Sequence, residues 1–156
     1  LSESVYNQAV KLGEAGKIQE SLNLLNQIKG NYAKAKTLYD SMNSFHKKVS
    51  LWLGTWKHRG TVNGEKTTYY ITFSEVLYKG EPCIKIKDMN NKSLGYNVEI
   101  SSKNHITQIE VGKYMIHFKL KNNHNQKLTY TLLEGKKMLR ELKYEGVTYK
   151  TKYKKK

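Results

Sequence analysis

The spacing of apolar residues changes once along the chain, near residue 50, and no other feature constrains the fold as much. Before this point apolar residues recur at the three- and four-residue intervals of a helix face, and after it they alternate with polar residues over short segments. Alternation of this kind is typical of strands that bury one face. The sequence therefore predicts an α+β chain, with a helical segment at residues 1–50 and a lysine-rich antiparallel β domain at residues 51–156.

Three helices are predicted before the change, at residues 3–15, 18–29 and 31–49. Ser2 or Ser4 is the predicted cap of the first helix, and Gly30 is the predicted stop signal of the second. The result is a helical hairpin or a three-helix segment.

Small and apolar residues of this segment recur in the order Ala9, Leu12, Gly16, Leu25, Ile28, Tyr32 and Ala35. This pattern resembles one tetratricopeptide repeat followed by the first helix of the next. A single repeat cannot bury both of its faces. The resemblance implies that the helices end a longer upstream array or lean on the β domain, and a generic helical hairpin is the alternative.

Alternation is clear in the β domain at residues 66–73, 94–100, 114–120, 127–132 and 147–153, and turn signals such as Lys79-Gly80 and Glu145-Gly146 separate such segments. Consecutive one-sided strands indicate an antiparallel meander with a solvated outer face. About eight or nine strands in so short a domain must curl to cover their apolar face, so we expect a closed or nearly closed up-and-down β-barrel. A two-sheet sandwich is the alternative.

Tyrosines are frequent on the face that is predicted to point inward. A buried tyrosine needs a partner for its hydroxyl, so the set predicts either a hydrogen-bonded core or a pocket that binds a small apolar ligand. The candidate ligand-binding residues are Tyr69, Tyr96, Tyr114, Tyr130 and Tyr149, and Tyr153 belongs to the same inward set.

The β domain opens with Gly54-Thr55-Trp56, directly after a helix. This resembles the Gly-x-Trp opening of lipocalins and fatty-acid-binding proteins, in which the tryptophan plugs one end of the barrel and a late arginine packs over it. The resemblance implies structural roles for Gly54, Trp56 and Arg140. The chain departs from the pattern at 59–64, where a hairpin is predicted in place of lid helices, and other lipocalin signatures are absent from the sequence.

Charge is concentrated in the β domain. The chain has a formal net charge of +15, and residues 51–156 hold 21 basic and nine acidic residues. Nearly all of the basic residues are lysines, which favour diffuse attraction to polyanions over bidentate recognition. The candidate anion-binding residues are Lys143, Lys150, Lys152 and Lys154, and the last three alternate along one strand, so they share a face. An edge strand that lysines protect against aggregation is the alternative.

Catalytic and metal-binding patterns are missing from the sequence. The five histidines are His46, His58, His105, His117 and His124, and none has metal-ligand spacing. Cys83 stands in no recognisable nucleophile motif, and no phosphate loop is present. We therefore expect no catalytic residues, no metal and no cofactor.

These features favour a non-enzymatic binding or interaction module of a larger protein. The first expected partner is an anionic cell-envelope polymer or membrane surface, followed by a small apolar ligand in the barrel and then non-specific nucleic-acid binding; the helices offer a surface to a protein partner. Residue 1 is Leu rather than Met. We expect a segment upstream of it to attach the module to the extracytoplasmic face of a bacterial membrane.

Overall fold

The structure is a computed structural model, and it describes residues 1–62, 64–88, 98–101, 106–120 and 126–156. Three helices come first: α1 (Ser2–Glu14), α2 (Ile18–Ile28) and α3 (Ala33–Val49). All three were predicted from the spacing of their apolar residues, and their ends fall within two residues of the predicted ones. The predicted serine cap is wrong, since Leu1 occupies the N-cap position of α1 without a side-chain hydrogen bond.

In the described part of the chain, nine strands follow the helices. They are β1 (Gly54–Val62), β2 (Glu65–Tyr78), β3 (Glu81–Asp88), β4 (Val98–Ser101), β5 (Ile106–Val111), β6 (Met115–Leu120), β7 (Lys127–Leu133), β8 (Lys137–Tyr144) and β9 (Val147–Lys155). They form one sheet in the order β4-β3-β2-β1-β9-β8-β7-β6-β5. The strand pairs whose registers are described are all antiparallel.

The predicted α+β class and up-and-down order are confirmed, and the sheet curls into a half-barrel. One nine-stranded sheet replaces the two-sheet sandwich that was the alternative. Among the described residues the sheet is not closed, since β4 and β5 stand at the two ends of its strand order. The pairing of β5 shifts its register between Ile106 and Gln108, and irregular strands of this kind are typical of sheet edges.

Tight hairpins at sequence turn signals join several strands whose connections the structure describes. Val62 pairs with Glu65, which confirms the hairpin predicted at 59–64. At Lys79-Gly80 both residues have positive φ, 50° and 77°, as in the two-residue turns that match the twist of a hairpin. The residues that favour tight turns therefore determine where these strands end.

Contacts divide the chain into two compact units. The first, the helical unit, is Leu1–Ser50 with Ser74–Ile84, and the second, the sheet unit, is Leu51–Phe73 with Lys85–Lys156. The division contains a boundary at residue 50, and it also assigns the β2–β3 hairpin end to the helices. Each unit is described by itself below.

The helical unit has a core that the helices share with the hairpin. Its fully or almost fully buried members are Ala9, Leu22, Leu25, Ala35, Leu38, Met42 and Leu77. A Cβ at Gly13 would collide with the side chain of Leu77, whose Cγ would lie 2.7 Å away. The missing side chain of Gly13 therefore lets β2 approach α1, and Leu77 of the hairpin covers apolar surface that a single helical repeat leaves open.

The largest buried side chains of the sheet unit are its two tryptophans. Trp52 and Trp56 are 0% and 2% exposed. The Trp52 indole donates to the Gly112 carbonyl at 3.0 Å, and the Trp56 indole donates to the Trp52 carbonyl at 3.0 Å. Both rings are thus buried with their polar N–H groups satisfied. Gly54, the first residue of β1 and two residues before Trp56, has a φ of +113°, a backbone conformation that favours glycine.

Candidate anion-binding surface

The lysine-bearing strand β9 lies inside the sheet, between β1 and β8. Lysines that protect a sheet edge are therefore not the explanation for its alternating charges. On the inner face of β9 Tyr153 is 2% exposed, whereas Lys150, Lys152 and Lys154 on the other face are exposed. We call this solvated side of the sheet unit the outer face.

The strand registers place lysines directly opposite one another on the outer face. One row crosses five strands from β7 to β2, in the order Leu133, Lys137, Lys154, Lys57 and Tyr70. All five side chains are exposed. We call its three central members, Lys137, Lys154 and Lys57, the lysine row.

A second set of lysines stands on the same face, further along the strands. Lys119 of β6 is opposite Lys127 of β7, and Lys127 is opposite Lys143 of β8. Lys143 and Lys127 are exposed, and Lys119 is half-buried. The outer face thus holds two separate places where three ammonium-bearing side chains are cross-strand neighbours.

Neighbouring strands are ~4.8 Å apart, so directly opposed lysines repel each other. Like charges on directly opposite residues destabilise a sheet, and salt screens their repulsion at exposed positions. Among the described residues no ion pair involves Lys57, Lys137 or Lys154. In the part of the chain that the structure describes, the lysine row therefore concentrates positive charge without an ion-paired carboxylate.

The four predicted anion-binding lysines have different surroundings. Lys154 is the centre of the lysine row, and Lys143 belongs to the second set. Lys150 is opposite Glu141, with its ammonium 4.0 Å from the carboxylate, and Lys152 is opposite Leu139. Lys57, Lys137, Lys119 and Lys127 were missed, because a residue's position in its own strand indicates its face but not its neighbours across the sheet.

The inner face contains a buried charge pair. Arg140 Nε donates to Asp88 Oδ2 at 2.6 Å, and the Tyr130 hydroxyl donates to the same oxygen at 2.9 Å. Asp88 and Tyr130 are 0% exposed and Arg140 is 5% exposed. Burial opposes the charge on Arg140, but Asp88 and Tyr130 outweigh it and raise its pKa. Burial and the neighbouring Asp88 raise the pKa of Tyr130 and of Tyr153. Arg140 therefore stays charged and Tyr130 stays protonated at neutral pH.

The tyrosines that were predicted to face inward do not form one lining. Tyr130 and Tyr153 are buried, and Tyr69 is half-buried with its ring stacked on His58 at 6.1 Å between centroids. Tyr114 and Tyr149 are 57% and 48% exposed, against the prediction. Tyr114 stands in the β5–β6 turn, where strand alternation no longer applies. Tyr96 lies outside the described residues.

A lysine covers the tryptophan at the start of β1. The ammonium of Lys155 is 4.7 Å from the centre of the Trp56 ring and donates to the Leu53 carbonyl. Burial and the neighbouring Lys136 lower the pKa of Lys155. The lipocalin resemblance assigned this place to Arg140, whereas Arg140 is engaged with Asp88.

The helical unit has a part-buried contact between a histidine and a carboxyl group. Nδ1 of His46 on α3 contacts Oε1 of Glu75 on β2, whose carboxylate side chain is 5% exposed. Burial raises the pKa of Glu75, and His46 partly offsets this rise. In the part of the chain that the structure describes, no three His, Cys, Asp or Glu side chains are grouped so as to hold a metal ion.

None of the described helices combines the length and the apolar composition that crossing a bilayer requires. Comparisons of the chain with protein-family models, with curated proteins and with solved structures found no match.

Proposed function

We propose that this chain is a non-enzymatic binding module whose outer sheet face binds polyanions. The observation that carries the proposal is the lysine row, in which Lys154 stands between Lys57 and Lys137 with no anionic partner among the described residues. A bound anion attracts all three ammonium groups and so offsets the repulsion between them. The net charge of +15 attracts such a partner from a distance.

The chemistry of lysine defines the kind of polyanion. An ammonium group is a hydrated point charge without the planar fork that reads phosphate or base edges bidentately. We therefore propose recognition of charge density along a phosphate-bearing polymer or surface, with little dependence on sequence. Binding of this type weakens steeply with salt, since each neutralised phosphate releases counterions.

Inorganic polyphosphate with a fluorescent label is a suitable probe, and anisotropy measures its affinity. The row variant Lys57→Gln/Lys137→Gln/Lys154→Gln should lower the slope of log affinity against log salt by about 2, since ~0.7–0.9 counterions are released per contact. The control variant Lys11→Gln/Lys17→Gln/Lys34→Gln removes the same charge from exposed positions of the helical unit. It should keep the slope close to that of the unmodified chain. Equal losses in the two variants would show that only net charge matters and would overturn the proposal.

We also propose an architecture for the module, a lipocalin-like barrel that is preceded by a tetratricopeptide-like helical pair. The pairing of the first strand β1 with the last strand β9, and the burial of Trp56 after Gly54, support the first likeness. Close packing at Ala9 and Gly13 supports the second.

An apolar ligand inside the sheet is less well supported. The Tyr130 hydroxyl is committed to Asp88, and the Arg140 charge has a counterion there already. These contacts favour the packed, hydrogen-bonded core over a ligand pocket. We also propose that an upstream segment attaches the module to the extracytoplasmic face of a bacterial membrane, where the module would meet envelope polyanions.

A further inference from the structure

Apolar side chains flank the lysine row on the outer face. Leu133 of β7 is opposite Lys137, and Tyr70 of β2 is opposite Lys57. Leu133 and Tyr70 are 38% and 42% exposed. The outer face therefore presents exposed apolar and aromatic groups next to the lysine row.

The apolar group at the β7 end extends over three strands. Thr131 is opposite Met115 on β6 and opposite Leu139 on β8, and Leu133 is two residues further along the same face of β7. Diagonal neighbours of this kind are ~7–8 Å apart. Met115 is 48% exposed, and Leu139 is half-buried. Met115, Leu133 and Leu139 form a cluster that we call the apolar cluster.

A soluble polyanion makes use of the lysines alone, because its charged groups gain nothing from exposed leucine and methionine. An anionic bilayer surface makes use of both. Its phosphate groups attract the ammonium groups, and apolar side chains enter the boundary between head groups and acyl chains. Tyrosine is enriched at this boundary as well, since its ring is apolar and its hydroxyl is polar. Long lysine side chains can keep their charge in the head-group layer while their stems lie along apolar surface.

We infer that the outer face docks on the surface of an anionic lipid bilayer, with Met115 and Leu133 entering the membrane boundary and the lysine row contacting lipid phosphates. This inference rests on the proposed polyanion function and names the lipid surface as its partner.

The experiment compares three binding partners for the full chain: vesicles of phosphatidylglycerol and phosphatidylcholine in equal parts, vesicles of phosphatidylcholine alone, and soluble polyphosphate. The apolar variant is Met115→Ser/Leu133→Ser. Its control is Val147→Ser/Tyr149→Ser, which removes two side chains of similar exposure, 50% and 48%, at the opposite end of β9 from Lys154. Circular dichroism and thermal melting check that each variant is folded.

We expect the unmodified chain to sediment with anionic vesicles and not with neutral ones. The apolar variant should lose vesicle affinity by about tenfold, because its buried apolar area is gone, and should keep its polyphosphate affinity. The control variant should keep both. The row variant should lose both, which also supports the underlying proposal.

Polyphosphate binding without vesicle binding, or equal vesicle binding by the apolar variant and the unmodified chain, would overturn the lipid surface and leave the polyanion proposal standing. Binding to neutral vesicles at the same strength would overturn the role of charge complementarity. Binding to neither anionic partner would overturn the polyanion proposal and the inference together.

Discussion

Substitution of Asp88 by Asn tests how the inner face of the sheet unit is held together. The amide keeps the size of the side chain and can still accept a hydrogen bond from the Tyr130 hydroxyl, which lies 2.9 Å from Oδ2 in the unmodified chain. The negative charge that faces Arg140 at 2.6 Å is lost. The substitution therefore isolates the electrostatic part of the contact.

The cost follows from burial. The side chain of Arg140 is 6% exposed, so water cannot replace the missing carboxylate. Removing one partner of a buried pair typically costs ~3–5 kcal/mol, because the remaining charge loses the attraction of its neighbour in a medium of low dielectric constant. A domain of this size has a total stability of only ~5–15 kcal/mol. We expect Asp88→Asn to remove a large part of the free energy of unfolding.

Urea denaturation followed by tryptophan fluorescence is the assay. The only tryptophans, Trp52 and Trp56, belong to the sheet unit, so the signal reports the unit that contains the pair. The double variant Asp88→Asn/Arg140→Met removes both charges and should recover about 2 kcal/mol, since neighbouring residues couple by ~0.5–3 kcal/mol. The control Glu141→Gln breaks the 4.0 Å contact with Lys150 on the exposed side of the same strand and should cost less than ~1 kcal/mol.

A loss of less than ~1 kcal/mol in Asp88→Asn would refute the reasoning, since it would mean that Arg140 finds water or another anion at little cost. Purely additive losses in the double variant would also refute it, because two residues in direct contact should couple.

Three further predictions concern stability. Trp56→Ala should cost ~3–5 kcal/mol in urea denaturation, because a large buried ring is removed, and an unchanged midpoint would contradict its role as an anchor. Gly13→Ala should lower the melting temperature of the helical unit, measured by circular dichroism at 222 nm, because the added Cβ collides with Leu77 at an overpacking cost of ~1–3 kcal/mol; a higher melting temperature would show that Leu77 moves freely. Burial raises the pKa of Glu75 above its ordinary 4.5, so the folded state holds this proton more tightly than the unfolded chain. The free energy of unfolding should therefore fall as the pH rises from 4.5 through the raised pKa, and His46→Asn should extend the fall to higher pH; a pH profile that is the same in His46→Asn would exclude the contact.

Local features of the sequence were sufficient to predict the helices and many of the strands and turns. The spacing of Leu22 and Leu25 placed α2, and Lys79-Gly80 placed the β2–β3 turn, because both signals act within a few residues. The assignment of Leu77 to the helical core was not predicted. Alternation shows that Leu77 faces inward, but it cannot show which neighbouring element covers it.

The candidate site depends on contacts between distant parts of the chain. Lys57 and Lys154 are opposite each other only because β1 pairs with β9, and no local pattern gives that register. Alternation does predict one residue of the inner face. Asp88 follows Ile84 and Ile86 at alternate positions of β3, so its carboxylate is expected to point inward, where a buried charge needs a cationic partner such as Arg140. The lipocalin resemblance predicted that Arg140 packs over Trp56, but the side chain over the Trp56 ring is that of Lys155.

Nuclear magnetic resonance spectra of the ¹⁵N-labelled chain, recorded while polyphosphate is added, test most directly whether the lysine row binds polyanions. The proposal predicts that the largest amide shift changes occur at Lys57, Lys137 and Lys154 and that they fade as salt is raised from low to physiological ionic strength, where screening shortens from ~30 Å to ~8 Å. The largest changes in the helical unit, or small changes spread evenly over all exposed lysines, would contradict it.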